Sequence, residues 1–126
     1  GGFKDGVEPE KLLCGGPMMG FAMYTTDTPI TKTSSSILCM SKDEVSACEP
    51  TACINCGRCV DACPSRIIPS RLADFAERHD EEAFLKFNGL ECVECGSCSY
   101  VCPAKRQLKQ AIGSMRKTAL ANKKKK

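Results

Sequence analysis

Cysteine is the residue in this sequence most able to do chemistry. There are 11 in 126 residues, and eight fall in two runs of identical spacing. Cys53, Cys56, Cys59 and Cys63 precede Pro64, and Cys92, Cys95, Cys98 and Cys102 precede Pro103. Three cysteines at intervals of three turn their sulfurs to one side of a tight loop. A fourth, four positions beyond the third, lies on the next turn and faces away. Four thiolates at the corners of a tetrahedron are what a cubane iron–sulfur cluster requires. Zinc is the plainer rival, because C-x-x-C is also a zinc knuckle. It would leave no reason for the third cysteine or for the Cys-Pro ending. Disulfides fit worse, since the cysteine count is odd, the spacings are short and no signal peptide precedes them.

The two runs are copies of one unit. Residues 53–64 recur as 92–103 with a constant offset of 39, which implies two loop-plus-helix units in a pseudo-twofold arrangement. In two-cluster ferredoxins the fourth cysteine of one motif ligates the other cluster. Two [4Fe–4S] clusters are therefore expected. One rests on Cys53, Cys56, Cys59 and Cys102, and the other on Cys92, Cys95, Cys98 and Cys63. Gly57 and Gly96 follow the second cysteine of each copy, where the lack of a Cβ lets backbone N–H groups approach the cluster. Pro64 and Pro103 end the loops. These four residues are the expected cofactor contacts beside the eight metal ligands.

The elements that must hold these loops are mostly helical. The 28 residues between Cys63 and Cys92 read as helices rather than as the β-rich connection of compact ferredoxins. Pro69 or Ser70 opens one helix whose inner face is Leu72, Phe75, Ala76 and His79. Asp80 caps a second with Ala83, Phe84 and Phe87 inward, ended by Asn88-Gly89. After Pro103 a longer helix aligns Leu108, Ala111, Ile112, Met115 and Ala119 on one stripe. Ser41-Lys42-Asp43-Glu44 reads as a capping box opening a short helix toward Cys48. The expected fold class is mainly α: a helical two-cluster ferredoxin domain over 41–121. Before it, 1–40 is read as the Gly-rich tail of an upstream domain, with short strands at Phe21 to Tyr24 and Ile37 to Met40. A disordered lysine tail, 122–126, ends the chain.

Composition narrows the function. With no Trp and 6% aromatics, the core is poor in large side chains and needs inorganic staples. The formal charge of +3 conceals nine Lys/Arg and no acid in 103–126, and thiolate-bound clusters add negative charge. The basicity is therefore no argument for nucleic-acid binding. The longest uncharged run, Leu12 to Thr26, is too short and too rich in Gly and Pro to cross a bilayer. No dinucleotide fingerprint, P-loop or Ser–His–Asp set is visible, so no catalytic residue is assigned and the chain alone should do nothing beyond electron exchange. Cys14, Cys39 and Cys48 are read as packing residues. Arg58, opposite Ser97 in the repeat, would raise the potential of a neighbouring cluster, or is simply solvated.

The segments Gly15-Gly16-Pro17-Met18-Met19-Gly20 and Thr28-Pro29-Ile30-Thr31-Lys32, together with the two cysteine motifs, resemble the C subunit of the Rnf complex over nearly the whole chain. That membrane-bound complex exchanges electrons between ferredoxin and NAD and couples this to sodium or proton translocation. The resemblance implies a peripheral subunit on the cytoplasmic face of the membrane, in contact with other subunits of the complex. Its two clusters would relay electrons between an NAD-linked flavin and the membrane part. FMN and NAD would belong to a flavin-bearing domain further upstream. An electron-wire domain of a succinate, glycolate or heterodisulfide oxidoreductase is the alternative, and a purely structural metal module the third reading.

Overall fold

The computed structural model describes residues 2–4 and 6–125 and divides into two compact units, Gly1–Glu49 and Pro50–Lys126. The boundary thus falls at Pro50 rather than at residue 41. Residues 41–49 belong to the first unit for an electrostatic reason. Lys11 pairs with Asp43 at 2.8 Å, and the Asp43 N–H donates to Glu10 at 2.7 Å. The hydrogen bond from Lys11 holds the Asp43 carboxyl below its ordinary value.

The first unit is a three-stranded antiparallel sheet of order β2-β1-β3, with β1 Lys11–Cys14, β2 Phe21–Met23 and β3 Ile37–Met40. Both expected strands are present. The central strand β1 was not expected, because Lys11-Leu12-Leu13-Cys14 carries neither alternation nor β-branched residues. Gly15 to Gly20 is the tight link between β1 and β2, closed by the Gly20 N–H donating to Gly16 at 2.8 Å. The helix expected toward Cys48 does not form. Asp43, not Ser41, accepts from the N–H groups of Val45 and Ser46, giving a turn that Pro50 prevents from extending.

The second unit holds the repeat. Helices α1 Arg58–Asp61 and α2 Pro69–Glu77 belong to the first copy, and α4 Ser97–Tyr100 and α5 Leu108–Lys125 to the second. The helix starts keep the offset of 39, so the duplication runs beyond the motif into α2 and α5. The backbone shows the same extension. Asn55 and Glu94, Gly57 and Gly96, and Arg66 and Lys105 are left-handed pairs at that offset. Between the copies lie α3 Glu81–Lys86 and a 3-10 turn, Gly89–Glu91. Asp80 caps α3 as expected, its carboxylate accepting from the Ala83 N–H at 3.0 Å.

The core of this unit is Ile67, Leu72, Ala73, Ala76, Phe84, Cys98, Leu108, Ile112 and Met115. Phe84 is fully buried, and a Cβ on Gly89 would overlap its ring. The inner stripe of α5 is as expected, but that of α2 is not. Pro69, Leu72, Ala73 and Ala76 face inward, Phe75 is half-buried against Phe87, which is 40% exposed rather than inward, and His79 is exposed. The correction for His79 has a backbone cause. α2 ends at Glu77, and His79 takes a φ of 57° with its N–H donating to Ala76 O, while Asp80 N–H donates to Phe75 O at 2.9 Å. This is the Schellman ending, with His79 at the left-handed position glycine prefers. His79→Gly is expected to stabilise the unit by about 1 kcal/mol, the strain of a left-handed residue carrying a Cβ less the extra unfolded-state freedom of glycine. Calorimetry should show a melting rise of about 4–8 °C.

The tail was expected to be disordered. Instead α5 continues to Lys125, and the Asn122 side-chain amide donates to Glu81 at 2.7 Å. Lys123 and Lys124 in its last turn also complement the helix dipole. Lys126 lies outside the described residues.

Candidate metal centre

Each loop reaches its shape through left-handed residues. Gly57 and Gly96 have φ of 78° and 84° and stand immediately before α1 and α4. There the left-handed backbone itself is what favours glycine. The turns after each short helix repeat too. Arg66 N–H donates to Cys63 O and Lys105 N–H to Cys102 O, at 3.1 and 3.2 Å. These turns carry Pro64 and Pro103 and present Cys63 and Cys102 away from their own loops.

The outcome is an exchange of cysteines between the copies. One cavity is lined by Cys92, Cys95, Cys98 and Cys63, with Gly96 and Pro64 on its wall. The other is lined by Cys53, Cys56, Cys59 and Cys102, with Gly57 and Pro103. All eight expected ligands and all four expected contacts are thus gathered, in two groups of four thiols. Counted out to their mouths, the cavities enclose about 340 and 560 Å³. Four thiols around each cavity form a donor set that fits a [4Fe–4S] cluster.

The two sites differ in cover. Cys53 and Cys56 are exposed and Cys59 half-buried, while Cys98 is buried and Cys92 and Cys95 are half-buried. Burial pushes the Cys98 thiol up to about 11 and raises that of Cys92 as well. The Ser97 hydroxyl, 3.5 Å from Cys95 Sγ, holds that thiol below its ordinary value. Since a cluster takes thiolates, the buried site must shed protons as it fills.

Charged groups that the spacing alone did not single out border both cavities. Arg106 lines the Cys53 cavity, and Glu94 and Lys109 line the Cys92 cavity. Arg58, the charge singled out from the sequence, is exposed and lies outside the set of residues lining the Cys53 cavity. The legible signal for Arg106 was a lone Arg opposite Ile67 in the repeat, three residues past the second Cys-Pro.

The family described as the 4Fe-4S dicluster domain matches residues 52–106. A 4Fe–4S dicluster ferredoxin domain is therefore present, accompanied by a small sheet. Relatives extend the match to nearly the whole chain. It is 42% identical over 125 residues to the C subunit of the Na⁺-translocating ferredoxin:NAD⁺ oxidoreductase complex of Acetobacterium woodii, covering 99% of this chain and 28% of that one. By sequence it is a homologue of the C subunit of the Rnf complex. Two further C subunits agree with this. The proton-translocating complex of Clostridium ljungdahlii has one 51% identical over 113 residues, covering 89% of this chain and 24% of that protein. The ion-translocating oxidoreductase complex of Methanosarcina acetivorans has one 45% identical over 112 residues, covering 89% and 25%. The chain spans about a quarter of the length of these Rnf subunits, at their C-terminal portion.

Proposed function

We propose that the chain carries two [4Fe–4S] clusters, one on Cys53, Cys56, Cys59 and Cys102 and the other on Cys92, Cys95, Cys98 and Cys63. It relays single electrons within an ion-translocating ferredoxin:NAD oxidoreductase. The observation that carries this reading is the sharing of cysteines, three from one copy and one from the other around each cavity. Such clusters supply one-electron transfer without bond making. The residues of this chain do the rest. The thiols hold, the left-handed glycines bring backbone N–H groups close, and the Ile67, Leu108 and Ile112 side chains on the cavity walls exclude water.

The placement in a complex rests on the Rnf homologues. The flavin and NAD sites are assigned to the region preceding this portion, and the first unit, with its Gly15-to-Gly20 hairpin, to the end of that region. The helical domain would then sit peripherally, on the cytoplasmic face, between a flavin-bearing domain and other subunits. No helix among the described residues is long and apolar enough to cross a membrane.

Iron, acid-labile sulfide and zinc per chain on anaerobically purified protein test the reading. About eight iron and eight sulfide, with interacting EPR signals of two reduced [4Fe–4S] centres after dithionite, are expected. Zinc without sulfide would leave a structural module.

A further inference from the structure

The duplication places two ion pairs of opposite polarity beside the two cavities. In α2, Asp74 and Glu77 hold the guanidinium of Arg106, with Nη2 2.9 Å from Asp74 Oδ1 and 2.9 Å from Glu77 Oε1. Burial alone would lower the Arg106 pKa, but the hydrogen bonds it donates to Asp74 and Glu77 outweigh it and hold it raised. Thirty-nine residues on, the same two helix positions in α5 are Gly113 and Arg116, and they hold the carboxylate of Glu94. Arg116 Nη1 lies 3.2 Å from Glu94 Oε1, and Arg116 Nε donates to Leu90 O at 3.2 Å. A Cβ on Gly113 would stand 3.1 Å from Glu94 Oε2. A glycine inside a helix is costly, and here the space it leaves is taken by the carboxylate. In the first copy a cation therefore faces the cavity with its acids on the helix behind. In the second an anion, Glu94, faces the cavity with its arginine behind and offsets Lys109, the cation on the same wall.

Because a Coulomb interaction falls with distance, the member of each pair on the cavity wall acts most strongly on charge placed inside. Reduction adds one negative charge to a cluster. Arg106 favours that addition at the Cys53 site, and Glu94 opposes it at the Cys92 site. We propose that these inverted pairs order the two reduction potentials, the Cys53/Cys56/Cys59/Cys102 site above the Cys92/Cys95/Cys98/Cys63 site. One electron then moves downhill from the second to the first, with no proton transferred and no bond changed. The inference rests on the cluster assignment proposed above. Glu94 sits between Cys92 and Cys95, but its partner Arg116 and all of Asp74, Glu77 and Arg106 lie outside the spacing motif, so the ordering is a property of the folded duplication.

The test is an EPR-monitored potentiometric titration of the anaerobic chain, its two signals assigned through Cys56→Ser and Cys95→Ser, which each perturb one site. The wild type should reduce first at the Cys53 site. Glu94→Gln, close in shape, should raise the Cys92 site at least tenfold in its reduction equilibrium, about 59 mV for one electron, and leave the other in place. Arg106→Gln should lower the Cys53 site, and Arg106→Lys should restore it. A purely structural role would not produce shifts of opposite sign. A wild type in which the Cys92 site reduces first overturns the ordering. So does a cluster-loaded Glu94→Gln protein with both potentials unmoved or moved together. A wild-type chain lacking about eight iron overturns the proposed function itself, and the iron count separates the two failures.

Discussion

Cys63→Ala is expected to empty the site of the other motif. Iron per chain should fall from about eight to about four, and the surviving EPR signal should match that of Cys95→Ala, not that of Cys56→Ala. The reciprocal change, Cys102→Ala, should group with Cys56→Ala. The expectation follows from which thiols line which cavity. Cys63 shares a wall with Cys92, Cys95 and Cys98, and Cys102 shares one with Cys53, Cys56 and Cys59. If Cys63→Ala instead groups with Cys56→Ala, the exchange of ligands is wrong and each motif closes on itself. The effect is large because one missing thiolate leaves an iron corner open to water, and for Cys102→Ala the more exposed Cys53 loop has little else to retain it.

Phe84→Ala should be the most damaging change outside the cysteines. Among the described residues Phe84, Leu72 and Ile112 are the largest fully buried hydrophobic side chains, and Phe84 is the aromatic ring buried in the core cluster, with Phe75 packed partly buried against that cluster. Truncation removes its transfer free energy and leaves a cavity, together about 3–5 kcal/mol. Gly89 packs directly on the ring and has no side chain with which to fill the gap. For a unit of this size the melting temperature should fall by at least about 12 °C, measured anaerobically on the loaded protein. A fall under about 4 °C would mean that the clusters, not this core, carry the stability.

The cluster loops were legible because their chemistry is written in consecutive residues. The eight cysteines, two glycines and two prolines singled out by spacing line the two cavities, while which thiols share a cavity was expected from the ligand exchange of two-cluster ferredoxins. Packing was less legible. His79 stands seven residues after Leu72 and so satisfies the helical period, but α2 stops at Glu77, and the hydrogen bonds that stop it involve only backbone. The duplication was visible over 53–64 and 92–103. Its continuation into α2 and α5 was hidden, because Ile68-Pro69-Ser70 and Gln107-Leu108-Lys109 share a backbone path and no side-chain chemistry. The inverted ion pairs were hidden for the same reason. Asp74 and Glu77 align with Gly113 and Arg116 only once that path is followed. The helical tail was missed because four lysines read as solvated chain, whereas the helix that continues to Lys125 is already nucleated and Asn122 is tied to Glu81.

The exchange of Cys63 and Cys102 also imposes an order in time. A ribosome that has delivered the first motif has delivered only three of the thiols around the first cavity, and the fourth emerges 39 residues after Cys63. On the proposed ligation the Cys92 centre cannot be completed on a nascent chain until Cys98 is out, and the Cys53 centre not until Cys102 is. Both then close within a few residues of synthesis of one another, so partly made chains should carry no finished cluster to lose.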